Sequence, residues 1–471
     1  MVALPITTTS GAESALGESA VERFASGLGG ELIRPGDEAY DGVREIWNAM
    51  IDRRPALVAR CAGVSDVISA VNFAREHDLL VSVRGGGHNV AGSAVCDDGL
   101  MIDLSPMKGI RVDLAAMTAR AAPGVVWSEF DRETQAFGLA TTGGLVGSTG
   151  IAGYTLGGGY GWLQGKHGLA CDNLISADLV TADGRLLRAD EDENPDLFWA
   201  LRGGGGNFGV VTSFEYRLHR LDQVLAGPVF HPAERAPEVL RFYREFTADA
   251  PDKLTVEAGF LTDPDGNRLV AIVVCYAGDI SEGERVIEPV RKFGPPVADM
   301  IGPKPYTTFQ AMFDEALPPG RHNYWKSSLL REPGDEALDV IAEYGSTMAS
   351  PYSMVFLQHF HGAYSRVGVH ETAYRHREPS YNLLVFASWT EPAESDRHIR
   401  WARDLYGALQ PHLAGKAFPN FLGQDEDAAG IQSAYGENYD RLVRVKTKYD
   451  PTNFFRMNQN IKPGGRGGAR R

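Results

Sequence analysis

Cysteine is scarce in this sequence: four occur in 471 residues, Cys61, Cys96, Cys171 and Cys275, and no two form a CxxC pair. That spacing excludes a disulfide framework and a cysteine-based zinc site, and it points to a reducing, cytoplasmic setting. Positive charge is in deficit too, with 46 Lys and Arg against 61 Asp and Glu and a net charge of −15. Nucleic-acid binding needs clustered cations against phosphates, so that class is excluded. The only basic run is the tail Gly464–Arg471, read as a frayed end. No apolar stretch approaches the roughly 20 residues that span a bilayer. The first residues carry Glu13, Glu18 and Glu22 rather than the basic and apolar segments of a signal peptide. Neither a membrane nor a resident metal is expected.

Glycine, by contrast, is abundant, with 54 residues, and it gathers in three places. The first is VSVRGGGHNVAGS, Val81–Ser93, in which Gly85, Gly86 and Gly87 follow a short apolar strand, with Arg84 before them and His88 and Asn89 behind. The second is Gly143–Gly161 and the third Gly203–Gly209. A glycine triplet lets the main chain approach a ligand closely, and successive N–H groups can converge on a phosphate. Within the third run, Gly204, Gly206 and Gly209 satisfy GxGxxG. The dinucleotide fingerprint requires a strand before and a helix after; here the order is reversed, so the Rossmann reading fails, and a nicotinamide dehydrogenase, which predicts a colourless protein, is left as a remote reading.

The length suits two to three units with ample core. Residues 38–52 read as an amphipathic helix, Ala56–Cys61 and Leu79–Val83 as strands, and a helix capped by Ser65 as running between them to His77. Further strands are expected at Met101–Leu104, Met117–Ala121, Ile175–Thr181, Arg185–Arg188 and Val210–Leu218. Helices are expected at Trp127–Phe137, stopped by Gly138, and after the Asn194–Pro195 pair. The segment Thr141–Leu174 reads as a long, close-fitting loop. In the middle of the chain, strand patterns at Leu254–Leu261, Leu269–Tyr276, Tyr324–Leu330, Ser353–His361 and Tyr381–Trp389 alternate with helices at Ser281–Phe293, Asp335–Met348 and Glu394–Leu409. That is an antiparallel sheet backed by helices on one face, free to roof a ligand with the other.

The RGGGH start, the three glycine loops and the tail YGENYDRLVRVKTKYDPTNFFRMNQNI (Tyr435–Ile461) resemble the flavoprotein superfamily of vanillyl-alcohol oxidase and p-cresol methylhydroxylase. Within it they are similar to the berberine-bridge-enzyme-like oxidases, and to the branch that holds 6-hydroxy-D-nicotine oxidases and favorskiiase-type flavoenzymes. The resemblance is carried by residues 40–222 and 380–461. It implies an α+β fold: a two-lobed FAD-binding domain in residues 1–222 (core 53–222), a substrate-binding domain in 223–415, and a C-terminal segment, 416–471, returning to the first domain. By the same resemblance the pyrophosphate lies in the first loop (Arg84, Gly85, Gly86, Gly87, Asn89, Gly92, Ser93). The second loop (Gly144, Ser148, Thr149, Gly150, Gly153, Tyr154, Gly158, Gly159) lines pyrophosphate and isoalloxazine. Gly206, Gly209 and Val210 lie near the adenosine, and Asn458 and Asn460 approach the ring or the substrate.

His88 matches the histidine joined covalently to the flavin 8α-methyl, a role that suits an imidazole neutral and nucleophilic near pH 7. Val146 stands where many relatives place a second, cysteinyl tether, so a single link is expected; Cys171 reads as a small buried hydrophobe. Both familiar catalytic bases are missing, since their positions hold Phe356 and Phe418. Tyr324 and then Tyr381 are the substitutes considered, with the Tyr154 hydroxyl donating to the flavin N1–C2 edge. Trp325, Phe356, Gln358, Phe360 and Phe418 are expected to line a pocket for an aromatic or polyketide-like secondary-metabolite substrate. The implied activity is an FAD-dependent oxidase that takes a hydride from an alcohol, amine or phenolic carbon and reduces O2 to H2O2. Two alternatives stay open: an oxygenase working through a flavin-N5-oxide, and a flavin carrier without turnover. The protein is expected to be a monomer or homodimer.

Overall fold

The computed structural model describes residues 4–464 except 379 and 417; residues 465–471, the bulk of the basic tail, lie outside the described residues. Three sheets position the site. The first runs β1 (Glu31–Ile33), β2 (Leu57–Arg60), β3 (Val81–Arg84) and β4 (Leu100–Asp103) in the order β1-β2-β4-β3, parallel except at β1. Helix α1 (Val64–Glu76) buries Val67, Ala70, Val71 and Ala74 against it. The expected Ser65 cap is not made. Gly63 takes the N-cap position, and the Asp66 carboxylate accepts from the amides of Gly29, Gly30 and Ala62 at 2.8, 2.9 and 2.8 Å. The helix expected over 38–52 is only Tyr40–Arg44. Beyond it the chain straps two domains together: the Trp47 amide donates to the Gly87 carbonyl (3.2 Å), and the Asn48 amide side chain donates to the carbonyls of Val90 and Asn323, both at 2.9 Å.

The second sheet has five strands: β5 (Ile110–Asp113), β6 (Thr118–Ala121), β7 (Leu174–Val180), β8 (Leu186–Ala189) and β9 (Val210–Arg217), ordered β8-β7-β9-β6-β5. Helix α2 (Trp127–Gln135) covers it with Trp127 and Phe130. The glycine-rich segment between α2 and β7 is less irregular than its sequence reads, for it holds a short helix α3 (Ile151–Leu156) and another turn of helix at Gln164–His167.

The third sheet is nine-stranded and antiparallel. Its long strands are β10 (Gln223–Pro232), β11 (Leu254–Thr262), β12 (Arg268–Tyr276), β13 (His322–Leu330), β14 (Met354–Phe360) and β15 (Ser380–Trp389), in the order β10-β12-β11-β14-β15-β13. Strand β10 was not apparent from the sequence because Gly227 and Pro228 interrupt its pattern; both sit at its middle, where Gly227 packs directly on the Met300 carbonyl. Four helices, Ala236–Thr247, Ile280–Lys292, Asp335–Ser346 and Ser395–Ala408, cover one face. Alternation sends Val256, Leu357, Tyr381, Leu383 and Val385 to that face, and Glu257, Phe356, Gln358, Asn382 and Leu384 to the other.

After the third sheet the chain returns: Tyr435, Leu442, Val445, Tyr449 and Ile461 are buried in the core of the second sheet, and Phe454 and Phe455 in that of the first. The return is pinned by a fully buried ion pair, Lys446 Nζ to Asp450 Oδ2 at 2.6 Å. The same ammonium donates to the carbonyls of Asn207 and Phe455, both at 2.8 Å, and the Asp450 carboxylate accepts from the amides of Phe454 and Phe455. Removing one partner of such a pair strands a buried charge, at a cost of about 3–5 kcal/mol. Lys446→Ala is therefore expected to lower stability by about that amount in denaturant unfolding; a change under about 1 kcal/mol would show the pair to be dispensable.

Candidate active site

A single cleft runs between the first two sheets and the bare face of the third, enclosing about 1720 Å³ with its open mouth included. One wall starts at the C-terminal end of β3, where Gly85, Gly86 and Gly87 turn the chain. Gly86 and Gly150, the last residue before α3, meet backbone to backbone. A Cβ on Gly86 would stand 2.3 Å from the Gly150 nitrogen, and one on Gly150 would stand 2.4 Å from the Gly86 nitrogen. The first two glycine loops are thus one structure. The third contributes Gly205 and Gly206, and the returning chain adds Met457, Asn458 and Gln459.

His88 stands where the glycine loops meet the third sheet. Its Nε2 is 2.8 Å from the Ser148 hydroxyl and its Nδ1 is 3.4 Å from that of Thr149. The ring stacks on Trp47 with centroids 4.9 Å apart and planes 22° from parallel. Burial holds its pKa down to about 4, so the imidazole is neutral at physiological pH. Facing it, the third sheet presents Met354, Phe356 and Phe386, which pack with Trp47 of the strap into an aromatic and apolar surface, with Phe313, Leu317, Trp325 and Leu384 around them.

A pair of polar side chains, Glu257 and Gln358, interrupts that surface. Glu257 of β11 lies in the cleft wall, and its Oε1 accepts from the Tyr160 hydroxyl at 2.5 Å and from Gln358 Nε2 at 3.1 Å. The bonds continue across the sheet: Asn382 Nδ2 donates to Gln358 Oε1, and Ser327 Oγ donates to Asn382 Oδ1, both at 2.8 Å. Desolvation pushes the Glu257 carboxyl up to about 7, against the pull of its two donors.

The structure brings Gly85, Gly86, Gly87, His88, Asn89, Ser93, Thr149, Gly150, Gly153, Tyr154, Gly206 and Asn458 to the cleft, with Trp325, Phe356 and Gln358 opposite. Others expected there serve as supports. Arg84 turns back to the carbonyls of Val43 and Glu45 and to Asp103. Gly92 lies against Ile51, and Gly144 under Trp127. Ser148 acts only through His88. Gly158 faces Phe418 and Tyr374, while the Gly159 amide donates to Asn420. Gly209 and Val210 pack on Val180, and Asn460 is off the cleft wall.

The catalytic assignments need correction. Tyr324 and Tyr381 project from the helix-covered face of the sheet. Tyr324 donates to Asp425 at 2.6 Å and accepts from Arg403, and Tyr381 shares a hydrogen bond with Thr247 at 2.7 Å. Tyr154 borders the cleft, but its hydroxyl donates to the Tyr160 carbonyl and is not free for a ligand edge. Phe360 and Phe418 sit behind the wall in a closed aromatic cluster with Tyr160, Tyr364 and Tyr374. Sequence reasoning missed Trp47, Asn420, Tyr160 and Glu257. A lone acid in the apolar stretch LTVEAGFL was the available signal for Glu257.

The FAD binding domain family matches residues 55–190, and the berberine and berberine-like family matches 417–462. The (R)-6-hydroxynicotine oxidase of Paenarthrobacter nicotinovorans is 34% identical over 450 residues, covering 93% of this chain and 97% of its own. This chain is a berberine-bridge-enzyme-like FAD-linked oxidoreductase. An FAD-linked oxidoreductase of Dictyostelium discoideum is 32% identical over 451 residues, covering 94% of this chain and 97% of its own. The crystal structure of 6-hydroxy-D-nicotine oxidase from Arthrobacter nicotinovorans superposes with a TM-score of 0.86 at 32% identity, covering 93% of this chain and 98% of that one.

The cleft of this oxidoreductase fits FAD on its own evidence. Gly153 and Gly206 have open space where a side chain would stand, and the buried Asn458 Oδ1 has no partner among the described residues. Gly86→Ala should push the two loops apart and abolish flavin retention, read as loss of the yellow colour from the purified protein. A purified Gly86→Ala protein with a full flavin complement would contradict that reading of the contact.

Proposed function

We propose that this protein is an FAD-dependent oxidase, taking a hydride from an alcohol, amine or phenolic carbon of a small aromatic or polyketide-like secondary metabolite and passing the electrons to O2 to give H2O2. The observation that carries the reading is the continuity of one cleft from the glycine loops to an aromatic wall, with His88 at the junction. When bound, the flavin supplies the hydride acceptor; the protein supplies placement and electrostatics. Trp325, Phe356 and Phe386 favour a flat, apolar substrate over a free sugar. The name of the 34% identical relative, an oxidase of 6-hydroxynicotine, agrees in kind.

Covalent attachment through His88 alone belongs to the same reading. A neutral imidazole is the nucleophilic form, and burial keeps it so. Val146, not a cysteine, borders the cleft, and Cys171 is buried beside Tyr160 and Phe418, its thiol pushed up by desolvation. A reducing, cytoplasmic setting is likewise proposed; all four cysteines are buried free thiols. No helix among the described residues is long and apolar enough to cross a membrane.

The test is a panel of benzylic alcohols, aryl amines including 6-hydroxynicotine, and phenols, mixed anaerobically with the yellow protein. At least one donor should bleach it, air should restore the colour, and peroxide should equal donor consumed. Bleaching with little peroxide and an oxygenated product would make it an oxygenase. A panel with no bleaching would favour the carrier.

A further inference from the structure

We propose that Glu257 is the catalytic base of this site: it takes the O–H or N–H proton of the donor, and Tyr160 and Gln358 position it. This rests on the oxidase reading above. The two positions where the resemblance would place a base hold Phe356 and Phe418, neither of which can accept a proton, and Tyr324 and Tyr381 lie on the helix-covered face. Glu257 is the register partner of Gln358, two residues along β14 from Phe356, so the acid stands one strand over, on β11, on the same cleft face as Phe356.

The geometry is that of a held base. Among the described residues both hydrogen bonds to the carboxylate fall on Oε1, which leaves Oε2 to meet a donor. Gln358 cannot rotate freely, because its own carbonyl oxygen accepts from Asn382, itself fixed by Ser327. The titratable groups around Glu257 are phenols: Tyr160 and Tyr154 on the flavin side, and Tyr243 from the helix behind the sheet. His359, on the neighbouring strand, projects to the opposite face against Tyr381. Among the described residues no cation pairs with the carboxylate, so burial dominates and pushes it up to about 7, where a base is most effective near neutral pH.

The step balances. The donor carbon transfers its hydrogen with two electrons to the flavin, the heteroatom proton passes to Glu257, and a C=O or C=N bond forms. The flavin is reduced, and O2 accepts the electrons afterwards.

The donor that bleaches the native protein in the panel above is the probe. Glu257→Gln, with flavin content and spectrum unchanged, should reduce its flavin about 10²–10⁴-fold more slowly, and the acidic limb of the rate profile, centred near pH 7 in the native protein, should disappear. Glu257→Asp should restore part of the rate. Two readouts need no donor. In infrared titration a protonated-carboxyl band should vanish at about pH 7 in the native protein and be absent from Glu257→Gln. Because the folded pKa is raised, the carboxyl's contribution to stability is present below the unfolded value and lost as pH rises through 7. The melting temperature of Glu257→Gln relative to native should therefore climb between about pH 5 and about pH 8. Should Glu257→Gln fail to fold, Tyr160→Phe, which deletes a donor to the carboxylate, should move the acidic limb and the infrared midpoint upward. Unaltered flavin reduction in Glu257→Gln, a limb unmoved in both variants, or no carboxyl titrating near 7 would overturn the assignment. Absence of any bleaching donor would instead count against the oxidase reading.

Discussion

Everything in this molecule depends on two stretches of backbone touching where neither can carry a side chain. Gly86 and Gly150 approach until a single methyl on either would strike the other's backbone nitrogen. That contact joins the parallel sheet ending in β3 to the loop leading into α3, and it makes one wall out of two loops distant in sequence. His88, two residues beyond Gly86, takes its place from it. Its ring lies between the hydroxyls of Ser148 and Thr149 and the face of Trp47, which is itself held by its indole N–H donating to the Leu317 carbonyl at 3.2 Å. The third sheet is thereby keyed to the first at the point where chemistry is placed.

The third sheet then divides labour by alternation. One face is a conventional helix-covered core; the other is an aromatic wall with one buried ladder of hydrogen bonds through Ser327, Asn382, Gln358, Glu257 and Tyr160. Polar groups this deep cost free energy unless every partner is supplied. The ladder meets that requirement through four adjacent strands and ends on a buried carboxylate that borders the cleft. A buried acid near neutrality, in an otherwise apolar wall, is the arrangement expected of a functional group rather than a structural one.

The parts legible in the sequence were those written locally. Glycine runs, the strand–turn before His88, the failed GxGxxG context between a helix and Val210–Arg217, and the alternating strands and helices of the third sheet all depend on neighbours a few residues away. The parts that were not legible depend on which way an alternation faces. Trp325 reaches the cleft and Tyr324, one residue earlier, points into the helices to bond Asp425 and Arg403. Period two distinguishes those residues but does not say which face is the wet one. Glu257 stands alone in the apolar stretch LTVEAGFL, and nothing local shows that its face of β11 lines the cleft. Arg84 illustrates the same limit: a cation beside a glycine turn is spent on the carbonyls of Val43 and Glu45 and on Asp103, bracing the turn from behind.

The central claim is that a flavin lies in the glycine cleft, bonded to the imidazole that Ser148, Thr149 and Trp47 hold in place. Mass spectrometry of the acid-denatured chain and its peptides tests this most directly. The account predicts that the yellow colour stays with the chain, that the intact mass exceeds the sequence mass by one FAD, and that the increment maps to the peptide containing His88. A chain of sequence mass, with its pigment released into the supernatant or never present, would contradict it.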